Sequence, residues 1–406
     1  MNVSLNSIAL ALTTLCVHGQ ALKPGPQVLT FLSGVDDTDQ PYGLYLPANF
    51  DPARKYPLVI SLHGAGSNHR LNLRRVFGRG NLPGETDAEA TRYFPTLRDV
   101  DYIVASPLAR GTMGYQGIPE ADVYDVLADV RSRFRIDEDR VYLTGLSMGG
   151  GGTLWLGLTR PDIWAAVAPV CPAPPPETIA LAPNALNLPV HFFHGALDPV
   201  VNPSVSREWV AKLHELGSNV EYVEYPGVRH NSWDNAYKDA AIFTWFSQFK
   251  RDRFPDRVRF TTDRYKYNSA YWLKLDSMTP GVFARIDATF TAPNRLEITT
   301  AALDGFTLAL AGHAKYNPTR PLSVSVDGKV VRVRGKVLSF SKANGLWTNA
   351  AIAPTGKTVA REGPVSDALS RHHIYVYGTA GNPSPDELAA RRETAARGAD
   401  WSTPRS

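Results

Sequence analysis

The chain contains 406 residues, of which 43% are hydrophobic, and its formal net charge is +4 at pH 7. This length exceeds one ordinary domain, and the apolar content is sufficient for a sizeable core. The charge is small for this size and no dense run of lysine or arginine occurs, so nucleic acid is not expected as a partner. No metal-ligand spacing or phosphate-binding glycine loop stands out, and we predict no metal and no cofactor.

The N-terminus carries a short apolar stretch, residues 8–17, which is too brief to span a bilayer and is placed like the hydrophobic region of a signal peptide. We therefore predict that residues 1–21 are a signal peptide cleaved after Ala21, although they contain no lysine or arginine. The protein is then secreted or periplasmic, with no membrane anchor. Cys16 would be removed, which leaves Cys171 without a disulfide partner.

Apolar runs typical of buried strands recur along residues 22–254 and alternate with helical patterns. The strand candidates are residues 28–33, 42–46, 58–62, 102–106, 140–144, 165–170, 190–194 and 220–225. Residues 121–130 place apolar side chains three and four apart, which predicts a helix over one face of the sheet. This alternation predicts a mostly parallel, doubly wound α/β sheet, with functional side chains at the carboxyl ends of its strands.

The strand candidate at residues 58–62 leads into His63-Gly64-Ala65-Gly66, a turn that resembles an oxyanion loop. In such a site two backbone N–H groups stabilise the charge of a tetrahedral intermediate, each worth about 3 kcal/mol on the barrier. We expect Ala65 of this turn to supply one of them. We expect Met148 to supply the other, because the second donor in this architecture directly follows the nucleophilic residue, here Ser147.

The most informative stretch is Gly145-Leu146-Ser147-Met148-Gly149, which follows an apolar run and is followed by three more glycines at positions 150–152. It is typical of a nucleophile elbow. The serine must stand on a sharp strand-to-helix turn where a base can reach it, and small neighbours allow the strained backbone to pass close to adjacent elements.

An acid and a base follow the serine in the order that this architecture uses. Asp198 comes just after the strand candidate at residues 190–194, and His230 follows the one at 220–225. Ser147, Asp198 and His230 therefore form the predicted triad, in the chain order of the α/β-hydrolase fold. His230 takes the serine proton, and Asp198 orients its ring and stabilises the imidazolium.

Three other residues compete for these roles. His63 precedes the acid in sequence and is interpreted as a structural hydrogen-bonding group of its loop. His194 ends a strand near the site, and a packed, satisfied imidazole is the favoured interpretation. Asp234 is the rival acid, but it falls in the first turn of a helix, where the macrodipole favours a carboxylate without catalytic purpose.

The pocket walls are predicted from loops that follow strands. Tyr115 lies in one such loop and is a candidate substrate contact, and Trp233 is either a rim contact or packs under the last helix. Residues 171–176 form a short connection, so we expect no large lid. An open cleft suits a bulky or polymeric ester. The arginines at positions 70, 74, 75 and 79 are interpreted as charges of a solvent-exposed segment between two strands. The alternative is that they bind an anionic group of the substrate.

These motifs together identify a resemblance. Residues 57–250 resemble a secreted α/β hydrolase of the broad group that contains prolyl-oligopeptidase-like hydrolases, dienelactone hydrolases and polyhydroxyalkanoate or feruloyl esterases. The motifs that carry the resemblance are residues 62–66, 145–150, 194–198 and 229–233. The resemblance implies the fold and the catalytic machinery, and it leaves the substrate open because this fold hosts many acyl transfers.

After residue 254 the pattern changes to period-two alternation, which predicts a β-sandwich-like accessory domain over residues 255–370. Asp327-Gly328 is the turn of a predicted hairpin. Four aromatic residues in this region form either a polymer-binding strip or core and cross-strand pairs, the second being favoured. They are Tyr265, Tyr267, Tyr271 and Trp272. Residues 371–406 predict a strand, a turn and a capped helix, which is consistent with a truncated further unit.

Three functional classes remain: an ester hydrolase, a prolyl-oligopeptidase-like peptidase, and a non-catalytic binding protein on a hydrolase fold. The ester hydrolase leads, because a binding protein has no need of a complete triad and such peptidases usually carry a gate before the hydrolase domain. The expected partner is a small-molecule or polymeric ester, of feruloyl, acetyl or polyester type. No pattern specifies an oligomeric state.

Overall fold

The structure is a computed structural model that describes residues 22–333, 338–351 and 373–402, with isolated positions between the last two ranges. The predicted signal peptide, including Cys16, lies outside the described residues. No helix in these ranges combines the length and apolarity that crossing a bilayer requires.

The first part of the chain folds around an eight-stranded sheet with the strand order β1-β2-β4-β3-β5-β6-β7-β8. Its strands are β1 (Gly25–Leu32), β2 (Asp39–Leu46), β3 (Tyr56–Leu62), β4 (Ile103–Pro107), β5 (Ile136–Leu146), β6 (Ala166–Val170), β7 (Val190–Gly195) and β8 (Val220–Tyr225). The pairs β1/β2 and β2/β4 are antiparallel, and the strands from β4 through β8 run parallel. The predicted mostly parallel sheet is confirmed.

Helices cover both faces of this sheet and explain why its central strands are continuous apolar runs. They are α1 (His69–Arg75), α2 (Asp87–Ala90), α3 (Ile118–Arg133), α4 (Met148–Thr159), α5 (Ser204–Glu215), α6 (Trp233–Ala236) and α7 (Ala241–Phe246). Every residue of β3 is buried. The helix expected at residues 121–130 is α3, which buries Val123, Val126, Leu127 and Val130. A 3-10 helix, Pro176–Asn187, connects β6 to β7.

Two five-stranded sheets follow, ordered β10-β11-β14-β17-β18 and β16-β15-β13-β12-β9. Their strands are β9 (Arg257–Thr262), β10 (Ser269–Ala270), β11 (Leu273–Met278), β12 (Ala284–Ala292), β13 (Arg295–Ala301), β14 (Leu303–Leu308), β15 (Ser323–Val326), β16 (Lys329–Arg332), β17 (Ser339–Ala343) and β18 (Leu346–Thr348). One hydrophobic cluster unites both sheets, as in a sandwich. The β-rich accessory domain is thereby confirmed.

Local sequence explains two features of this second domain. Asp327 and Gly328 both have positive φ, as the turn between β15 and β16 requires. Tyr265, Tyr267 and Trp272 are buried and Tyr271 is partly buried against the core, so these four aromatic residues are packing residues, as favoured, and do not form an exposed strip.

The two domains meet through hydrogen-bonded side chains. Asn184, in the 3-10 helix, donates to the Thr261 carbonyl oxygen at 2.9 Å and accepts from the Thr261 N–H at 2.7 Å. Glu120 of α3 is buried and accepts from the Tyr267 hydroxyl at 2.6 Å. The β6–β7 connection is therefore tied to the second domain.

The C-terminal segment ends in the predicted helix, α8 (Pro385–Ser402). Ser384 caps it, since its hydroxyl accepts from the Glu387 N–H at 3.2 Å. The strand predicted before this helix is not observed, because residues 373–380 are not assigned to any sheet of the described chain.

Candidate active site

Ser147 stands at the junction between β5 and α4 with φ 55° and ψ −116°. This backbone conformation is strained for a residue with a side chain, and strain of this kind costs of order 1–3 kcal/mol and clusters at functional sites. Its N–H donates to the Val170 carbonyl oxygen at 2.9 Å, and its carbonyl oxygen accepts from Ala173 N–H at 3.1 Å. These bonds hold the turn, so the predicted elbow is present.

The glycines around Ser147 are required by close backbone approach. A Cβ atom on Gly145 would lie 2.3 Å from the Gly149 carbonyl oxygen, and one on Gly149 would lie 2.3 Å from the Leu62 carbonyl oxygen. At Gly151 the Ala173 carbonyl oxygen would be 2.2 Å away. Helix α4 thus packs directly on the ends of β3 and β6, which only glycine permits.

The three predicted triad residues come together at the carboxyl ends of β5, β7 and β8. His230 Nε2 lies 3.0 Å from Ser147 Oγ, and His230 Nδ1 lies 2.8 Å from Asp198 Oδ2. Because one ring nitrogen contacts the carboxylate and the other the hydroxyl, the imidazole is oriented to remove the serine proton.

Asp198 is buried and fully hydrogen-bonded. Its second oxygen, Oδ1, accepts from the backbone N–H groups of Val200 at 2.8 Å and Val201 at 3.0 Å. Burial alone would raise the Asp198 pKa, but the hydrogen bond from His230 and the two N–H groups outweigh it and lower that pKa below its usual value. Asp198 is consequently ionised at neutral pH.

The two predicted oxyanion donors belong to segments that adjoin the nucleophile. Met148 is the first residue of α4, where a backbone N–H has no acceptor within the helix. Gly64 is adjacent to Ser147, since a Cβ atom on Gly64 would lie 3.4 Å from Ser147 Cβ. The loop that contains Ala65 is therefore beside the nucleophile, and Ala65 itself is exposed.

The two predicted substrate contacts have different positions. Tyr115 is buried; its hydroxyl donates to the His63 carbonyl oxygen at 3.0 Å and its ring packs on Gly152. This differs from the pocket-wall position expected for it, because the tyrosine lies beneath the loop. Trp233 is partly buried and its ring meets the His230 ring edge-on at 5.4 Å between centroids.

The rival residues have structural partners. Both ring nitrogens of His63 lie 2.8 Å from carbonyl oxygens, those of Gly64 and Leu108. Asp234 accepts from the Asn231 side chain at 2.9 Å.

His194 is packed as expected, but it also contacts the triad, since its Nε2 lies 3.2 Å from Asp198 Oδ2. This contact was not predicted from the sequence. The four-residue spacing between His194 and Asp198 was the signal that could have indicated it.

Three of the four clustered arginines are tied into their own segment and do not form a solvated patch. Arg74 is fully buried and donates to the carbonyl oxygens of Gly80 and Ala90. Arg70 and Arg75 likewise donate within residues 87–91. Only Arg79 is exposed among the four.

Cys171 lies behind the triad and is buried without a disulfide. Its Sγ, with a carboxylate oxygen of Asp198 and a ring nitrogen of His230, forms a group of possible metal-ligand atoms within 4.8 Å of one another. Burial raises the pKa of the Cys171 thiol to about 12, so it is protonated at neutral pH. Metal binding requires the thiolate, and the other two groups already bind each other, so the set does not favour a metal.

Comparisons with known proteins agree with this geometry. A family model described as phospholipase/carboxylesterase matches residues 119–247, which contain all three triad residues. Feruloyl esterase D of Neurospora crassa is 26% identical over 198 residues, 48% of this chain and 64% of that protein. A poly(3-hydroxybutyrate) depolymerase of Ralstonia pickettii is 40% identical over 84 residues, 19% of this chain and 15% of that protein.

A solved structure of a thermostable esterase superposes with a TM-score of 0.44 and 28% identity, covering 56% of this chain and 63% of the other. The chain spans less than two thirds of the length of the curated relatives named above.

The sheet topology and the elbow define an α/β-hydrolase fold, so the predicted fold and the resemblance to esterases of this fold are confirmed. That the protein is secreted stays a prediction. Along residues 119–247 the chain is similar to the phospholipase and carboxylesterase family.

Proposed function

We propose that the protein is a serine carboxylic ester hydrolase that acts through an acyl-enzyme. The observation that carries this proposal is the continuous hydrogen-bonded series from Asp198 through His230 to Ser147, with distances of 2.8 and 3.0 Å. A serine hydroxyl is a weak nucleophile, and this arrangement supplies the base that activates it.

The reaction proceeds in two halves. Ser147 Oγ attacks the ester carbonyl carbon while His230 Nε2 takes the hydroxyl proton, and the oxyanion that forms accepts from the N–H groups of Ala65 and Met148. Collapse breaks the bond to the alcohol oxygen, which leaves with the proton from His230. Water then attacks the acyl-enzyme and gives a proton to His230. Collapse breaks the bond between the acyl carbon and Ser147 Oγ, His230 returns the proton to Oγ, and the carboxylic acid is released.

We propose an ester with a bulky or polymeric alcohol as the substrate class. Ser147 and His230 both keep part of their surface exposed, which supports an open approach to the nucleophile. Relatives named feruloyl esterase, acetylxylan esterase/xylanase and poly(3-hydroxybutyrate) depolymerase point to feruloyl, acetyl or polyester substrates. Trp233, beside the base, is the proposed aromatic contact for the acyl group, and action outside the cell follows from the predicted signal peptide.

The test is hydrolysis of p-nitrophenyl acetate, methyl ferulate and poly(3-hydroxybutyrate) by the purified full chain and its Ser147→Ala variant. Ser132→Ala is the matched control, because Ser132 is exposed and, among the described residues, its hydroxyl donates only to the Asp129 carbonyl oxygen. We expect Ser147→Ala to lose at least about a thousandfold in kcat and Ser132→Ala to keep full activity.

Two further probes, a prolyl peptide and a feruloylated polysaccharide, separate the alternatives. Cleavage of a prolyl peptide without ester turnover would replace the proposal by a peptidase. A folded protein that binds a feruloylated polysaccharide without turnover would indicate a binding protein.

A further inference from the structure

A loop after β4, residues 108–117, contacts the turn that contains Ala65 at three separate atoms; we call it the supporting loop. The Leu108 carbonyl oxygen lies 2.8 Å from His63 Nε2, Thr112 Oγ1 accepts from the Gly66 N–H at 2.9 Å, and the Tyr115 hydroxyl donates to the His63 carbonyl oxygen at 3.0 Å. None of these residues belongs to the triad.

These contacts restrict which N–H groups of the turn remain available to a substrate. The Gly64 carbonyl oxygen accepts from the Ser67 N–H at 3.2 Å and lies 2.8 Å from His63 Nδ1. A trans peptide is planar, so the Ala65 N–H points away from that carbonyl group. The next N–H, that of Gly66, is occupied by Thr112. Ala65 is therefore left as the donor of this turn with a fixed direction.

The supporting loop is itself held by a buried ion-pair cluster. Ala109 and Arg110 both have positive φ, 46° and 58°, a conformation that residues with side chains rarely adopt in succession. The Arg110 guanidinium donates to Asp36 at 2.6 Å, to Asp122 at 2.7 Å and to Ser33 at 2.8 Å. The three charged side chains are at most 10% exposed. The Arg110 side chain thus joins the supporting loop to helix α3 and to the loop between β1 and β2.

We propose that the supporting loop preorganises the oxyanion site, with Thr112 and Tyr115 as positioning residues for the Ala65 N–H and the Arg110 cluster as their anchor. The inference rests on the proposed function of Ser147. A donor aimed before substrate arrives stabilises the oxyanion without reorganisation, which is the main source of its catalytic effect. Neither positioning residue touches the reacting atoms.

The structure offers matched variants for a test. Thr112→Val removes the acceptor at nearly constant shape, and Thr112→Ser restores it. Tyr115→Phe removes one buried hydroxyl that donates to a carbonyl oxygen at 3.0 Å. Tyr102→Phe is the matched control, because the Tyr102 hydroxyl is also buried and donates to the Phe243 carbonyl oxygen of α7 at 3.0 Å.

We expect Thr112→Val and Tyr115→Phe each to lower kcat about tenfold with KM unchanged, less than the loss of a direct donor. Thr112→Ser is expected to keep most of kcat. Tyr102→Phe is expected to lose thermal stability without losing kcat. Hydrogen exchange measured by mass spectrometry is expected to rise over residues 62–68 in Thr112→Val and Tyr115→Phe only.

The proposal is overturned if kcat is unchanged in both variants, if Thr112→Ser is as slow as Thr112→Val, or if Tyr102→Phe loses as much kcat as Tyr115→Phe. If the unaltered protein hydrolyses no ester, the proposed function fails, and exchange over residues 62–68 decides this inference alone. Faster exchange in Thr112→Val then supports the supporting loop, and unchanged exchange refutes it.

Discussion

His194 and the triad acid Asp198 share a contact that is closed to solvent: His194 Nε2 lies 3.2 Å from Asp198 Oδ2, and both side chains are fully buried. The other ring nitrogen lies 2.7 Å from Ser206 Oγ. Burial lowers the pKa of His194, so its ring is neutral and carries one N–H. The Val201 carbonyl oxygen lies 3.0 Å from Nε2, so the N–H is on Nε2, where it donates to that oxygen with Asp198 Oδ2 close by, and Nδ1 accepts from Ser206.

His194→Phe removes the N–H that holds the Val201 carbonyl oxygen and lies beside Asp198, while Val201 itself donates to Asp198 Oδ1. The variant is expected to lower kcat ten- to a hundredfold, because a small displacement of Asp198 misaligns His230. Ser206→Ala removes only the distant end and is expected to cost a few-fold. Steady-state kinetics on p-nitrophenyl acetate, with melting temperatures for both variants, measure this. Full kcat in a folded His194→Phe protein would show that Asp198 needs no such partner.

Gly151→Ala is expected to destabilise the fold by about 2–4 kcal/mol, because its Cβ atom would overlap the Ala173 carbonyl oxygen at 2.2 Å. The control is Gly157→Ala in the same helix, where the nearest atom, a Val167 methyl, would be 3.3 Å away. There the better helix propensity of alanine, worth about 1 kcal/mol, offsets the contact. Urea unfolding of both variants checks the difference, and equal losses would contradict the described packing of α4.

Glu120→Ala is expected to weaken the junction between the two domains. It strands the Tyr267 hydroxyl and the Trp155 indole N–H, which donate to Glu120 Oε2 at 2.6 and 3.2 Å. Two buried unpaired donors predict a loss of about 3 kcal/mol. Glu138→Ala, which breaks a partly exposed ion pair with Arg131, is expected to cost less than about 1 kcal/mol. Similar unfolding free energies for the two variants would refute the assignment of Glu120 as an interdomain anchor.

His191 makes stability fall in acid. Burial lowers its pKa from 6.5 to about 4. Between those values the unfolded chain binds a proton that the folded protein does not, so stability decreases as pH falls through this window. Allowing for partial exposure, the effect is about 1–2 kcal/mol.

His191→Phe is expected to reduce this loss, because the ring packs on Phe193 and Trp245 and its nitrogens have no hydrogen-bond partner among the described residues. Melting temperatures at pH 7 and pH 4.5 test it, with the exposed His214→Gln as control. An unchanged pH dependence in His191→Phe would count against a buried neutral His191.

The sequence could predict that Ser147, Asp198 and His230 lie close together. Each follows an apolar run, and parallel strands bring their carboxyl ends to one edge of the sheet. The accessory sheets were predictable as β structure from period-two alternation. Their pairing was not, since β13 and β15 run parallel across a long connection that no local pattern records.

Long-range contacts of polar side chains were likewise hidden from the sequence. Tyr115 follows a strand as a pocket residue would, yet a hydroxyl-to-carbonyl bond and the space above Gly152 draw it inward. Arg74 reads as a surface charge, but it is buried because carbonyl oxygens of its own excursion surround it. Such partners depend on how loops fold back, which periodicity does not encode.

The central claim is that Ser147 forms an acyl-enzyme, and rapid acid quench during p-nitrophenyl acetate turnover tests it most directly. Peptide mapping by mass spectrometry is predicted to find an acetyl group on Ser147, with p-nitrophenol release abolished in Ser147→Ala and retained in Ser132→Ala. Turnover that persists in Ser147→Ala, or an acetyl group on another residue alone, would contradict the account.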